Sequence, residues 1–212
     1  MINFISMANR SYLYSMNKSW VKKSDLSEFN QEIPLFYKIL LGVETEITKS
    51  WIFKDYEYPI AFIGNFRKGL KRYLNLLEYL QIVSDEHKDT FESYSTLTQE
   101  FFEHNPGKKS VLFLLEPGEI FELIADMESP KDQAENLLSE IETISKEIEA
   151  FLGIKKRSLR KEPLNQVLIN EWLNNPLLLQ PYWQAECYYS FNHSRADSYK
   201  NKNNDHLNAR TK

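Results

Sequence analysis

The chain has one cysteine, Cys187, so it can form no internal disulfide and offers no group of thiolates for zinc or an iron–sulfur cluster. Its four histidines, at 87, 104, 193 and 206, are scattered. None stands three to five residues from another histidine or a cysteine, and no metal-ligand pattern results. Glycine is scarce, six in 212 residues, and Gly64 alone makes neither a phosphate loop nor a dinucleotide fingerprint; Gly69 is followed by Leu70-Lys71 where a phosphate loop has Lys-Ser/Thr. Long apolar runs are missing too: Val111–Leu115 is stopped by Glu116 and Pro117, far short of the ~20 residues that cross a bilayer. Residues 1–6 lack the basic start and apolar stretch of a signal peptide.

The balance of 26 basic and 30 acidic side chains gives a net charge of −4, which weighs against non-specific binding to nucleic acid. What is abundant is aromatic: 13 Phe, 12 Tyr and 4 Trp, within a hydrophobic fraction of 42%, enough for a folded core. One domain over residues 7–192 is expected, with residues 1–6 as an upstream extension and 193–212 as a polar, disordered tail.

The patterning predicts an α+β fold, a small mixed sheet packed with five to six amphipathic helices. Strands are expected near 11–16, where aromatics alternate, and at the apolar runs 59–63 and 110–115. A fourth is expected at the aromatic-rich segment 182–190. Helical spacing marks 33–41, ended by Gly42, and the helix after Gly64-Asn65, whose stripe is Leu70, Tyr73, Leu74, Leu77, Leu80 and Ile82. It also marks 90–104, with Phe91, Tyr94, Leu97, Phe101 and Phe102, and 164–173. The clearest seam is Leu137, Ile141, Ile144, Ile148 and Phe151, preceded by a Ser129/Pro130/Asp132 start and closed by Gly153.

Two charge patterns and two aromatic groups stand out. Arg67, Lys68, Lys71 and Arg72 follow the N-cap Asn65 with no acid between Glu57 and Glu78, so a helix start carries an unusual positive face that could hold an anion. Its plain alternative is a solvated surface. From Glu116 to Glu149 there are eleven carboxylates against Lys131 and Lys146 alone. Within that span Glu135, Glu142 and Glu149 recur every seven residues and share a helix face suited to a basic partner, or simply to water. The groups Trp51/Phe53/Tyr56/Tyr58 and Tyr182/Trp183/Tyr188/Tyr189 are core by default. Facing outward they would be partner-binding anchors, Trp183 and Tyr188 first among them. Cys187 within the second group reads as a small buried hydrophobe rather than a nucleophile.

The stretches Met7-Ala8-Asn9-Arg10-Ser11-Tyr12-Leu13-Tyr14, Glu32-Ile33-Pro34-Leu35 and Pro59-Ile60-Ala61-Phe62-Ile63-Gly64 resemble an uncharacterised family of bacterial cytosolic proteins. The resemblance brings no catalytic residues and favours Met7 as the start. Medium-sized, acidic, aromatic-rich families of this kind look like immunity proteins of polymorphic toxin systems. The implied function is cytoplasmic binding that occludes a toxin's active site, with no cofactor and neither membrane nor nucleic acid as partner. The competing expectation is a small-ligand or enzymatic module with an anion site near Gly64–Arg72.

Overall fold

The computed structural model describes residues 9–17, 23–104, 110–157 and 167–189. The expected leader at 1–6, the turn at 105–107, most of the basic link after Lys155, the start of the helix expected from Leu164, and the tail at 193–212 lie outside them. Strands β1 (Arg10–Met16), β2 (Lys23–Asn30), β3 (Glu46–Thr48), β4 (Ala61–Asn65) and β5 (Leu112–Glu116) form one sheet. Its order is β2-β1-β5-β4-β3. The helices are α1 (Leu35–Leu41), α2 (Phe66–Val83), α3 (Lys88–His104), α4 (Gly118–Glu122), α5 (Pro130–Arg157) and α6 (Val167–Asn174), followed by a 3-10 turn at Pro176–Leu179.

The α+β class stands, with three of the four expected strands. Every described strand pair is antiparallel, which corrects the mixed sheet. The reason lies in the connections: β1 and β5, and β4 and β5, meet head to tail, and no helix serves as a parallel crossover between neighbouring strands.

Register divides the side chains between two faces. Leu13 pairs with Leu115 and Leu115 with Phe62, so these and Phe113 share one face. Tyr12 pairs with Glu116 and Tyr14 with Leu114, so these line the other. The first face is covered by α1, α2 and α5 in one continuous apolar core. Close approach there depends on glycine: a Cβ at Gly69 would stand 1.9 Å from the Leu40 carbonyl oxygen, and one at Gly64 2.5 Å from that of Leu41. The last turn of α1 thus rests directly on the β4–α2 junction.

The helix starts and seams are largely as expected. Asn65 caps α2 by accepting from the Lys68 amide at 3.1 Å. Ser129 Oγ accepts from the Asp132 amide at 3.2 Å and donates to its carboxylate at 2.6 Å. On α5 the buried residues Leu137, Ile141, Ile144, Ile148 and Phe151 are the expected seam. Gly153 does not end α5, which continues to Arg157; nothing lies within 4 Å of its missing Cβ, and a solvated helical glycine costs only about 1 kcal/mol. The core face of α2 is rotated from the expected stripe. Phe66, Gly69, Tyr73, Leu76, Leu77 and Leu80 are buried, whereas Ile82 is exposed, because α2 packs chiefly against α3 and α1.

The expected strand at 182–190 is not one. Within its described part, Tyr182–Tyr189, the chain is an irregular strap that passes the β2 edge. Trp183 stays on the helix side, stacked on Phe101 and edge-on to Phe36 and Phe102. The Gln184 amide then donates to the Leu26 carbonyl at 2.8 Å, and Cys187 is buried on the opposite face. A β-bulge opposite Leu13/Tyr14 interrupts the β1–β2 register at Leu26, and the strap's Gln184 amide bonds to β2 there.

Candidate functional site

The run Val111–Leu115 is stopped by Glu116, and that carboxylate organises one end of the second sheet face. Glu116 is fully buried. It accepts from Ser50 Oγ at 2.6 Å and from the Trp51 amide at 2.7 Å. Ser50 Oγ in turn accepts from the amides of Phe53, at 2.7 Å, and Ile52, at 3.2 Å. Charge-assisted bonds of this kind are what make a buried carboxylate tolerable, and here they fix the path of the 50–59 loop.

Two residues beyond, Gly118 opens α4. A Cβ there would meet the Phe53 ring at 2.3 Å, so the glycine lets the aromatic loop lie flat on the helix start. Tyr56 donates to the Gly118 carbonyl at 3.1 Å. Tyr189, delivered by the strap, meets Phe53 and Tyr12 edge-on at 5.9 and 5.2 Å between ring centres. The N-terminus of β1 is tied in by Glu119, which accepts from the Arg10 amide at 2.8 Å.

The sequence singled out the aromatic group 51–58 and the acidic span from Glu116 separately; the structure joins them. Above this base an apolar ridge faces solvent. Leu123 is 50% exposed and Met127 80%, with Ile124 and Tyr58 also open. The Lys131 ammonium lies 6.0 Å from the Tyr58 ring centre, which places Tyr58 beside the start of α5, four residues after Met127. Glu119, Glu122, Asp126 and Glu128 surround it in sequence with no basic residue between Glu116 and Pro130. Burial and then the neighbouring Glu119 raise the pKa of Glu122 above the ordinary carboxylate value.

Burial pushes the hydroxyls of Tyr56 and Tyr189 up to about 12, with Glu122 and Glu119 respectively adding to the effect. Tyr12 lies higher still, first through burial and then through Glu119. Among the described residues no group of three or more His, Cys, Asp and Glu is placed to hold a metal ion. The arrangement sets exposed apolar side chains among carboxylates beside a hydrogen-bonded base.

The residues expected to bind a partner or an anion are placed as follows. Glu135, Glu142 and Glu149 are all exposed on α5, paired with Lys131 at 3.7 Å, with Lys146 at 3.8 Å and with Arg72. Glu135 is one turn beyond Lys131 and borders the ridge; the others follow at intervals of about 10 Å along the helix. Trp183 is an internal anchor, half-buried and donating to Thr98 Oγ1 at 2.9 Å. Tyr188 is exposed, with the Arg10 guanidinium 5.2 Å from its ring centre.

Asn65, besides capping α2, donates to Glu44 at 2.8 Å, and Lys68 is ion-paired with the same carboxylate. Arg72, with only 9% of its side chain exposed, donates to the Gly42 carbonyl at 2.6 Å and bonds Ser145 and Glu149, tying α1, α2 and α5 together. Arg67 and Lys71 remain exposed. The basic quartet is thus divided between structure and surface. Leu123, Ile124 and Met127 were not singled out from the sequence; their only signal is apolar residues among carboxylates, just before a helix start and outside any seam.

Residues 15–156 match a domain of unknown function, DUF7822, and the chain belongs to that family. No curated protein and no solved structure matches it. No helix among the described residues is long and apolar enough to cross a membrane.

Proposed function

We propose that this member of the DUF7822 family is a protein-binding module that neutralises a cognate bacterial toxin in the cytoplasm by covering its active site. The observation that carries the reading is the exposed ridge of Leu123, Ile124, Met127 and Tyr58 on a base held by Glu116 and Gly118. Exposed apolar side chains clustered on a fixed backbone supply binding energy at little ordering cost. The surrounding carboxylates select a partner with a basic face and speed its approach. Glu135, Glu142 and Glu149 extend that acidic surface along α5, and Tyr188 offers a further aromatic contact at the strap.

Co-expression with the product of a neighbouring gene tests this. A stable complex and restored growth of cells making the toxin are expected. Leu123→Asp with Met127→Asp should weaken the complex by about a hundredfold while leaving the unfolding midpoint in urea nearly unchanged. Failure of every neighbouring product to give both a complex and rescue would overturn the reading.

A further inference from the structure

Between α2 and α3 lies a groove of about 350 Å³ lined by Phe66, Leu70, Leu74, Phe102, Thr98 and Glu103 among others. That volume falls in the ~300–1,000 Å³ range of binding clefts. At about 100° per residue, Phe66, Leu70 and Leu74 follow one another around α2 in steps of about 40°, and Arg67 and Lys71 come next on the solvent side. Both cations are exposed, and among the described residues neither is ion-paired, unlike Lys68 and Arg72. On the opposite wall stands a carboxylate, Glu103. The groove therefore has an apolar floor, a positive rim along α2 and a negative residue along α3.

We infer that this groove docks an amphipathic helix of a partner protein, its apolar stripe in the cleft and an acidic flank along Arg67 and Lys71. Helices enter such grooves through side chains at i, i+3, i+4 and i+7, and unequal charge on the two walls fixes which flank lies where. The site also absorbs the two cations of the α2 start that the fold itself leaves unused. It is independent of the ridge proposed to contact a toxin.

The probe is a synthetic amphipathic peptide with leucines at i, i+3, i+4 and i+7 and glutamates along one flank, titrated against the full chain by fluorescence anisotropy. Saturable binding is expected, at least about tenfold weaker for the same peptide with lysines in place of the glutamates. Arg67→Glu with Lys71→Glu, both on the surface, should invert that preference. Leu123→Asp with Met127→Asp should leave it unchanged, which separates this site from the ridge. Equal affinity for both peptides, no binding of either, or an unaltered preference in the Arg67→Glu/Lys71→Glu variant would overturn the inference. So would saturable uptake of dodecanoate without peptide binding, or self-association of the chain through this groove.

Discussion

On one face of the sheet Leu13, Phe62, Phe113 and Leu115 meet three helices in a largely apolar core, with the last turn of α1 set against Gly64 and Gly69. On the other face Tyr12, Tyr14 and Glu116 meet irregular chain, the 50–59 loop and the strap, secured by side chains bonding to backbone. Asp25 accepts from the Cys187 amide at 3.1 Å, Glu28 from the Tyr188 amide at 2.6 Å, and Tyr14 donates to the Tyr189 carbonyl at 2.7 Å. Irregular segments satisfy few of their own amides, so a sheet face covered by them must supply acceptors, and carboxylates are the strongest available. The helical face contributes mainly stability. The polar face shapes loops, and the proposed contact ridge stands at its end.

This contrast can be broken at several points. Phe113→Ala, in the helix-covered core, should cost about 4 kcal/mol in urea unfolding; a loss below about 1 kcal/mol would mean that this face is not the main core. Gly69→Ala comes next. Helix propensity alone would stabilise α2 by about 1 kcal/mol, but the clash with the Leu40 carbonyl should turn this into a net loss of about 2 kcal/mol. A gain would show that α1 is free to move away.

Glu116→Ala leaves the Trp51 amide and Ser50 hydroxyl without their acceptor, at about 2 kcal/mol. Its sharper signature is local: hydrogen exchange should accelerate at residues 51–53 while the α2 amides change only in step with global stability. Smallest is the alkaline effect. Because the folded-state pKa values of Tyr56 and Tyr189 are raised to about 12, the folded chain holds protons that the unfolded chain releases near pH 10. Their stabilising contribution is complete below about pH 10 and is lost as pH rises from there through about 12. Tyr56→Phe with Tyr189→Phe should flatten stability against pH in that window, and an unchanged slope would remove these hydroxyls from the linkage.

Legibility in the sequence follows the same division. Helices α2, α3 and α5 announce themselves through their apolar periodicity, although Ile82 of the expected α2 stripe and Leu97 of the expected α3 stripe are exposed, and the caps at Asn65 and Ser129 are readable. Strand β2 was not expected: Lys23-Ser24-Asp25-Leu26-Ser27-Glu28 has too few apolar residues to alternate, because Asp25, Ser27 and Glu28 serve the strap instead. The aromatic density of 182–189 suggested a strand, yet Trp183 and Cys187 go to opposite faces because the segment rounds an edge, a path that no local period encodes. Of the candidate site, the acidic span and the aromatic group at 51–58 were each visible. Their meeting at Glu116 and Gly118 depends on antiparallel pairing of β5 with β4, a long-range fact. The ridge residues Leu123, Ile124 and Met127 lie in a short turn between α4 and α5, where burial cannot be told from spacing.

The most direct measurement on the proposed contact surface is hydrogen exchange on the complex with the co-expressed neighbouring product, compared with the free chain. Slowed exchange concentrated in residues 50–59 and 118–128 is the predicted result. Protection confined to the far end of α5, around Glu142 and Glu149, or spread over the chain with no focus at the ridge, would contradict it.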